Sequence, residues 1–204
     1  MTLGGWDPMT KTQDLLQNDE HGALLTKWRI HTPICSPSRS ETVSGRYFHN
    51  IKSQLEVPPE KLQPAASGHI DGTLYKNDSF GVHLRAAKGY NVGMFGKSNF
   101  NTCDGFDRWF QAAVCGYGGN YQDDESPTFH YKAGQDEYAT DLLLEKTVEW
   151  IKRPNITGAA SEGRPFFVYF APHCPHTPAV PPKKYEEACV NVTSPRLPNY
   201  NWTH

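Results

Sequence analysis

The chain has 204 residues, of which 37% are hydrophobic and 21% charged, and its formal net charge is −2. That length can bury one good core, and the near-neutral balance excludes an electrostatic nucleic-acid footprint or a basic tail for polyanions. No apolar run approaches the ~18 residues of a membrane span, and the residues after Met1 have neither the basic start nor the apolar core of a signal peptide.

In chain order, residues 1–20 are polar, with a short helix expected to begin at Thr10. Residues 22–31 predict a strand leading to the stretch Cys35-Ser36-Pro37-Ser38-Arg39-Ser40. Pro37 fixes its own φ and biases Ser36 toward extended backbone, so Cys35 is expected on a loop. Ser38 or Ser40 would cap a following helix that Gly45 ends. First-turn N–H groups and the forked Arg39 guanidinium would together attract an oxyanion. On residue types alone the ordinary alternative stays open, namely a structural thiol beside a solvated arginine.

Residues 51–70 are Pro-rich and polar and read as a loop. Val82–Lys88 predicts a helix closed by Gly89, and Tyr90–Phe95 a strand running into Gly96 and Lys97; that order is an α/β signature. A lysine at the C-terminal edge of such a strand can reach an anion held there, or it is a solvated turn residue. Cys103–Phe129 is aromatic, Gly-rich and acidic and reads as an ordered surface loop with a short hairpin. Within it Asp123, Asp124 and Glu125 read as a solvated turn rather than a metal site.

Glu137–Lys152 is the clearest helix, with Leu144, Val148 and Ile151 on a core stripe that Leu142 and Leu143 widen. Phe166–Phe170 is an apolar run of the length of a doubly covered parallel strand, and it empties into His173 and His176. Acceptor sequons at Asn77, Asn155, Asn191 and Asn201 point to the secretory pathway. The five cysteines, at 35, 103, 115, 174 and 189, leave one unpaired if the others are bridged. Cys103 with Cys115 and Cys174 with Cys189 are plausible local pairs, and connectivity stays open at this level.

Three blocks carry a family resemblance. Cys35-Ser36-Pro37-Ser38-Arg39, followed by Gly45-Arg46-Tyr47, resembles the sulfatase signature; Gly89-Tyr90 through Gly96-Lys97 resembles the second signature of that family. Pro165 through Ala171-Pro172-His173, with His176 and Pro178, resembles a sulfatase strand and its substrate loop. Thr32-Pro33-Ile34, Phe48-His49-Asn50 and the stretch from Pro195 to Asn201 are similar to the eukaryotic N-acetylglucosamine-6-sulfatase and heparan-sulfate endosulfatase branch.

The resemblance implies an α/β, alkaline-phosphatase-like fold with a mainly parallel sheet and helices on both faces. Residues 1–204 would form the N-terminal part of the catalytic domain, without the first strand and its Asp pair and without the C-terminal part. The implied reaction is hydrolysis of a sulfate ester on a sulfated sugar or glycosaminoglycan unit. Cys35 would be oxidised by the formylglycine-generating enzyme to formylglycine, whose hydrate attacks sulfur and also contacts a Ca²⁺ ion, the other metal ligands being absent. Arg39 would orient that hydrate, Lys97 and His176 would neutralise the sulfate oxygens, and His173 and Ser38 would contact substrate. The location implied is lysosomal or extracellular. The alternatives are a non-catalytic sulfatase-like fragment and, more weakly, a phosphohydrolase of the same fold.

Overall fold

The computed structural model describes residues 9–18, 22–23, 25, 27, 29–50, 78–98, 105–188 and 190–191. The chain divides into two compact units, one formed by residues 30–183 and the other by residues 1–29 with 184–204. The second unit contains α1 (Thr10–Gln13), continued as a π-helical turn over Asp14–Asn18, at the place its sequence predicts. In the 22–31 segment no strand forms among the described residues. Its apolar residues follow no period of two, and Leu25 and Ile30 remain exposed.

The larger unit is built on five strands: β1 (Asn91–Gly96), β2 (Arg108–Gln111), β3 (Tyr117–Asp123), β4 (His130–Tyr138) and β5 (Phe166–Ala171). Their order is β4-β3-β2-β1-β5. β5, β1 and β2 run parallel, with Asn91 opposite Phe166 and Gly93 opposite Arg108. β3 and β4 extend the sheet as antiparallel strands. Three helices cover it: α2 (Cys35–Ser44), α3 (Phe80–Lys88) and α4 (Ala139–Ile151).

β1 is the centre of the core, and every residue in it is buried. Its alternation sends Val92 and Met94 to one face, where they meet Val43 of α2, Phe106, and Phe80 and Leu84 of α3. Phe95 goes to the other face with Phe110, Tyr121, Leu142, Leu143 and Trp150, the α4 side. An α/β sheet with helices on both faces is therefore present. The order helix, glycine, strand is also found: Ser79 caps α3 by accepting from the Val82 N–H at 3.3 Å, and Gly89 ends it in the left-handed conformation.

Four expectations are corrected. Cys103–Phe129 supplies β2 and β3 to the sheet instead of a surface loop, at least over its described part, because Phe110 and Tyr121 stack at 4.9 Å inside the core. Asp123 ends β3, and Asp124 and Glu125 form the expected turn, but the three acids are not merely solvated: they surround Arg108, whose relative exposure is only 3%. α4 begins at Ala139, because Glu137 and Tyr138 still belong to β4. Its buried stripe is Ala139, Leu142, Leu143, Thr147 and Trp150, whereas Leu144 is 53% exposed. The phase is set by Trp150, whose ring lies over Gly93, where a Cβ would come within 2.9 Å of it. Finally, β5 is parallel but not doubly covered: among the described residues it is the edge strand, and Phe166, Phe167 and Phe170 are each partly exposed.

Candidate active site

The parallel strands β1 and β5 end side by side, and the site is assembled at those ends, where open α/β sheets hold their ligands. Ile34 is extended (φ −131°, ψ 149°) and acts as N-cap, so α2 starts at Cys35 itself. This corrects the expected loop position of Cys35 and the capping roles of Ser38 and Ser40. Pro37 falls in the first turn, where its missing N–H has no intrahelical partner to lose, and that tolerance outweighs its bias on Ser36. The thiol thus sits at the positive end of the helix dipole. Hydroxyls reinforce this serine-rich helix by bonding back one turn: Thr42 donates to the Ser38 carbonyl at 2.9 Å, Ser44 to that of Ser40 at 2.7 Å, and Ser40 to that of Ser36. Gly45 closes it with φ 66°.

Arg39 lies one turn after Cys35 and clamps two backbones. Its Nε donates to the Lys97 carbonyl at 3.1 Å and its guanidinium Nη1 to the Cys35 carbonyl at 3.2 Å. Lys97 follows β1 directly; its N–H donates to the Ala171 carbonyl at 2.8 Å, and its Nζ lies 3.7 Å from the Cys35 sulfur. Gly96, just before it, has φ 115°, and a Cβ there would lie 2.1 Å from the Ala171 carbonyl oxygen. Only glycine lets the two strand ends approach this closely. Gly96→Ala is accordingly expected to cost at least about 1–3 kcal/mol in backbone strain, read as a lower midpoint in urea unfolding.

Electrostatics follow from this geometry. Partial burial pushes the Cys35 thiol up, but the charges of Lys97 and Arg39 and their hydrogen bonds to the sulfur outweigh it and hold the thiol below its ordinary range. His173 and His176 stack with ring centroids 4.2 Å apart. His173 is lowered to about 4, first by desolvation, then by Lys97, His176 and Arg39. The imidazole is therefore neutral through the mildly acidic range, and the site's fixed positive charge comes from Lys97 and Arg39. Between pH 6.5 and about 4 the unfolded chain takes up a proton that the folded chain refuses at His173. Stability is expected to fall as pH drops through that window and to stop falling from this source below it; denaturant titrations of wild type and His173→Asn across pH 7 to 4 measure the difference.

His176 is exposed, with Nδ1 2.8 Å from the Thr177 carbonyl oxygen. Ser38 lies within α2 and contributes backbone hydrogen bonds, its N–H donating to the Ile34 carbonyl at 2.9 Å. The structure thus brings Cys35, Arg39 and Lys97 together, with His173 within electrostatic reach of the two cations and His176 stacked behind it. Tyr169 of β5, which residue typing passed over, is raised by burial and lies near enough to Arg39 to feel its charge.

The local pairings of Cys115 and Cys174 are corrected as well. Cys115 is bonded to Cys174, 59 residues away, with Cα atoms 4.9 Å apart. The bridge connects the approach to β3 with the loop after β5, a proximity that chain separation hides. Cys103 and Cys189 lie outside the described residues, and among those described Cys35 is the free thiol. A Ca²⁺ ion takes six to eight oxygen ligands. Among the described residues no group of three or more His, Cys, Asp or Glu side chains could hold a metal, and the side chains placed around Cys35 are cationic or neutral. They do not fit a calcium ion.

The sequence model of the Sulfatase family matches residues 1–200. This chain belongs to the sulfatase family. The chain is 25% identical over 212 residues to N-acetylglucosamine-6-sulfatase of Bos taurus, covering 98% of this chain and 36% of that protein. It is 27% identical over 209 residues to the putative extracellular sulfatase Sulf-1 homolog of Caenorhabditis elegans, covering 98% of this chain and 28% of the other. Among solved structures it is similar to BT4656, determined in complex with its substrate D-glucosamine-2-N,6-O-disulfate. There the TM-score is 0.60 at 20% identity, with 81% of this chain and 30% of that one covered. The fold is the alkaline-phosphatase-like α/β fold, and the chain spans about a third of the length of the curated relatives it matches.

Proposed function

We propose that the chain forms part of a sulfuric ester hydrolase acting on sulfated sugar or glycosaminoglycan units, with Cys35 converted to formylglycine. The observation that carries this is the convergence of Cys35, Arg39 and Lys97 from a helix N-terminus and a parallel strand end. A helix N-terminus, a lysine and a forked guanidinium are together suited to a tetrahedral, negatively charged group. Membership of the family narrows that group to sulfate. The sugar rests on two relatives, one named as an N-acetylglucosamine-6-sulfatase and one solved with a disulfated glucosamine.

In this reading formylglycine supplies a hydrated aldehyde in place of the thiol, and its generating enzyme is the chain's processing partner. Arg39 fixes the Cys35 main chain and holds it against Lys97. Lys97 Nζ, directed at the Cys35 side chain, meets charge that develops on the sulfate oxygens. Neutral His173 acts as a hydrogen-bonding group, and His176 supports it by stacking. The described residues offer calcium no ligand set.

The secretory route follows from the same modification and from the sequons. Asn155 and Asn191 are exposed, as glycan acceptors must be, while Asn77 and Asn201 lie outside the described residues. No helix among the described residues is long and apolar enough to cross a membrane. The test is production in a eukaryotic secretory host, with mass determination of the Cys35 peptide and assay on an aryl sulfate and on N-acetylglucosamine 6-sulfate. Conversion of Cys35 together with turnover that Cys35→Ala abolishes is the expected result. An unmodified thiol and no turnover would overturn it.

A further inference from the structure

Beyond Ala171 the chain leaves the sheet, and residues 172–182, which carry His173 and His176, form no strand. Several fastenings hold this segment from the antiparallel side of the sheet. Cys174 is bridged to Cys115. The Tyr138 hydroxyl lies 3.0 Å from the Val180 carbonyl oxygen and 3.4 Å from the Cys174 sulfur. The Lys183 N–H donates to the Tyr117 hydroxyl oxygen at 2.5 Å. Tyr117 and Tyr138 face each other across β3 and β4, with their rings edge to face at 5.2 Å.

We propose that Tyr138 is a positioning residue of this site, whose hydroxyl fixes the loop bearing His173 and His176 against the end of β1. The inference rests on the reading of Cys35, Lys97 and the His173 loop as one site. A phenol has a single proton to donate. It goes to the Val180 carbonyl, the stronger acceptor, and the Cys174 sulfur receives a weak share. The donor persists at every ordinary pH, because burial, Tyr117 and Asp141 push the Tyr138 phenol up. Hydrogen bond and disulfide thus grip the loop at two points, Val180 and Cys174, on either side of His176. Without the hydroxyl the grip at Val180 is lost, the Cys174 bridge and the more distant Lys183–Tyr117 bond remain, and His173 gains freedom to leave Lys97.

The test uses Tyr138→Phe in the full chain, which keeps the ring and its packing. One readout needs no activity: the titration of the His173 ring protons by NMR. In wild type the midpoint is expected at about 4; in Tyr138→Phe it is expected to move up toward the ordinary histidine value, because the loosened loop loses first the burial of His173 and then its enforced proximity to Lys97 and Arg39. Tyr117→Phe, which removes the acceptor for the Lys183 N–H, should move it the same way but less. With active enzyme, kcat/KM for an aryl sulfate should drop by about tenfold, mainly through KM, as expected for loss of one hydrogen bond that places a binding group. A Tyr138→Phe protein that is less stable but keeps the wild-type His173 titration would show a merely structural role and overturn the proposal. If wild type lacks turnover, the function assigned above fails while the titration still decides the role of Tyr138.

Discussion

Arg108→Ala is expected to lower the unfolding free energy by about 3–5 kcal/mol, the range for removing one partner of a buried ion pair. Arg108 enters the core from β2 at 3% relative exposure. Its Nη1 donates to Asp123 Oδ1 at 2.7 Å, to Asp124, and to the Trp109 carbonyl at 2.5 Å. Its Nε lies 3.3 Å from Glu125 Oε2, within ion-pairing distance but out of line for a hydrogen bond. The guanidinium also lies 5.8 Å and 5.9 Å from the ring centroids of Phe95 and Phe110. Glu125 is held in turn by a two-pronged pair with Arg153.

Removing the arginine leaves the largely buried carboxylates of Asp123 and Asp124 without the cation that both contact, and the penalty comes mostly from those orphaned charges. A triple variant, Arg108→Met with Asp123→Leu and Asp124→Leu, should therefore recover much of the loss, since apolar replacement of a whole buried ionic cluster is often neutral or better. Equilibrium unfolding in guanidinium chloride checks both. A loss below about 0.5 kcal/mol for Arg108→Ala, the size of an ordinary surface substitution, would mean the cluster is solvated and the account is wrong.

Lys97→Ala is expected to reduce kcat on a sulfate ester by about 10²–10³, the scale of losing one preorganised donor to developing negative charge. The same substitution has a consequence that needs no turnover. On unmodified chain, the Cys35 thiol is held low by Lys97 and Arg39 against the opposing effect of burial. Without Lys97 its alkylation by iodoacetamide should shift to higher pH, since only the thiolate reacts. Arg39→Lys should not be conservative. Arg39 grips the Lys97 and Cys35 carbonyls through separate nitrogens at 3.1 Å and 3.2 Å, a span that a single ammonium cannot reproduce. An unchanged alkylation profile in Lys97→Ala would remove the lysine from the site.

Some elements were legible because their signals are local. The helix before Gly89, the strand that follows it and the site lysine just beyond need only a cap, a left-handed glycine and an apolar run, all within about twenty residues. The sulfatase blocks were legible for a related reason: each places its reactive side chain on one short segment. Signals that depend on remote partners misled. The sequence centres the stripe of α4 on Leu144 instead of its buried neighbours Leu142 and Leu143, because all three are equally apolar and only Trp150 meeting Gly93 selects the face. The acids at 123–125 read as a solvated turn; the turn is there at 124 and 125, but nothing adjacent to the acids shows that Arg108 comes to lie among them. Pro37 argued for a loop at Cys35, yet a first helical turn tolerates it.

By itself the sequence determined which residues are candidates for the site, Cys35, Arg39, Lys97, His173 and His176, and the α/β class of the sheet whose strand ends lie beside them. Tertiary structure decided how they are held. It started α2 at the thiol, brought Lys97 to 3.7 Å from the Cys35 sulfur, and joined Cys115 to Cys174 across 59 residues. The physical reason is that composition and period act over a turn or a strand, whereas charge pairing, close backbone approach and disulfide geometry depend on distances that only the packed sheet sets.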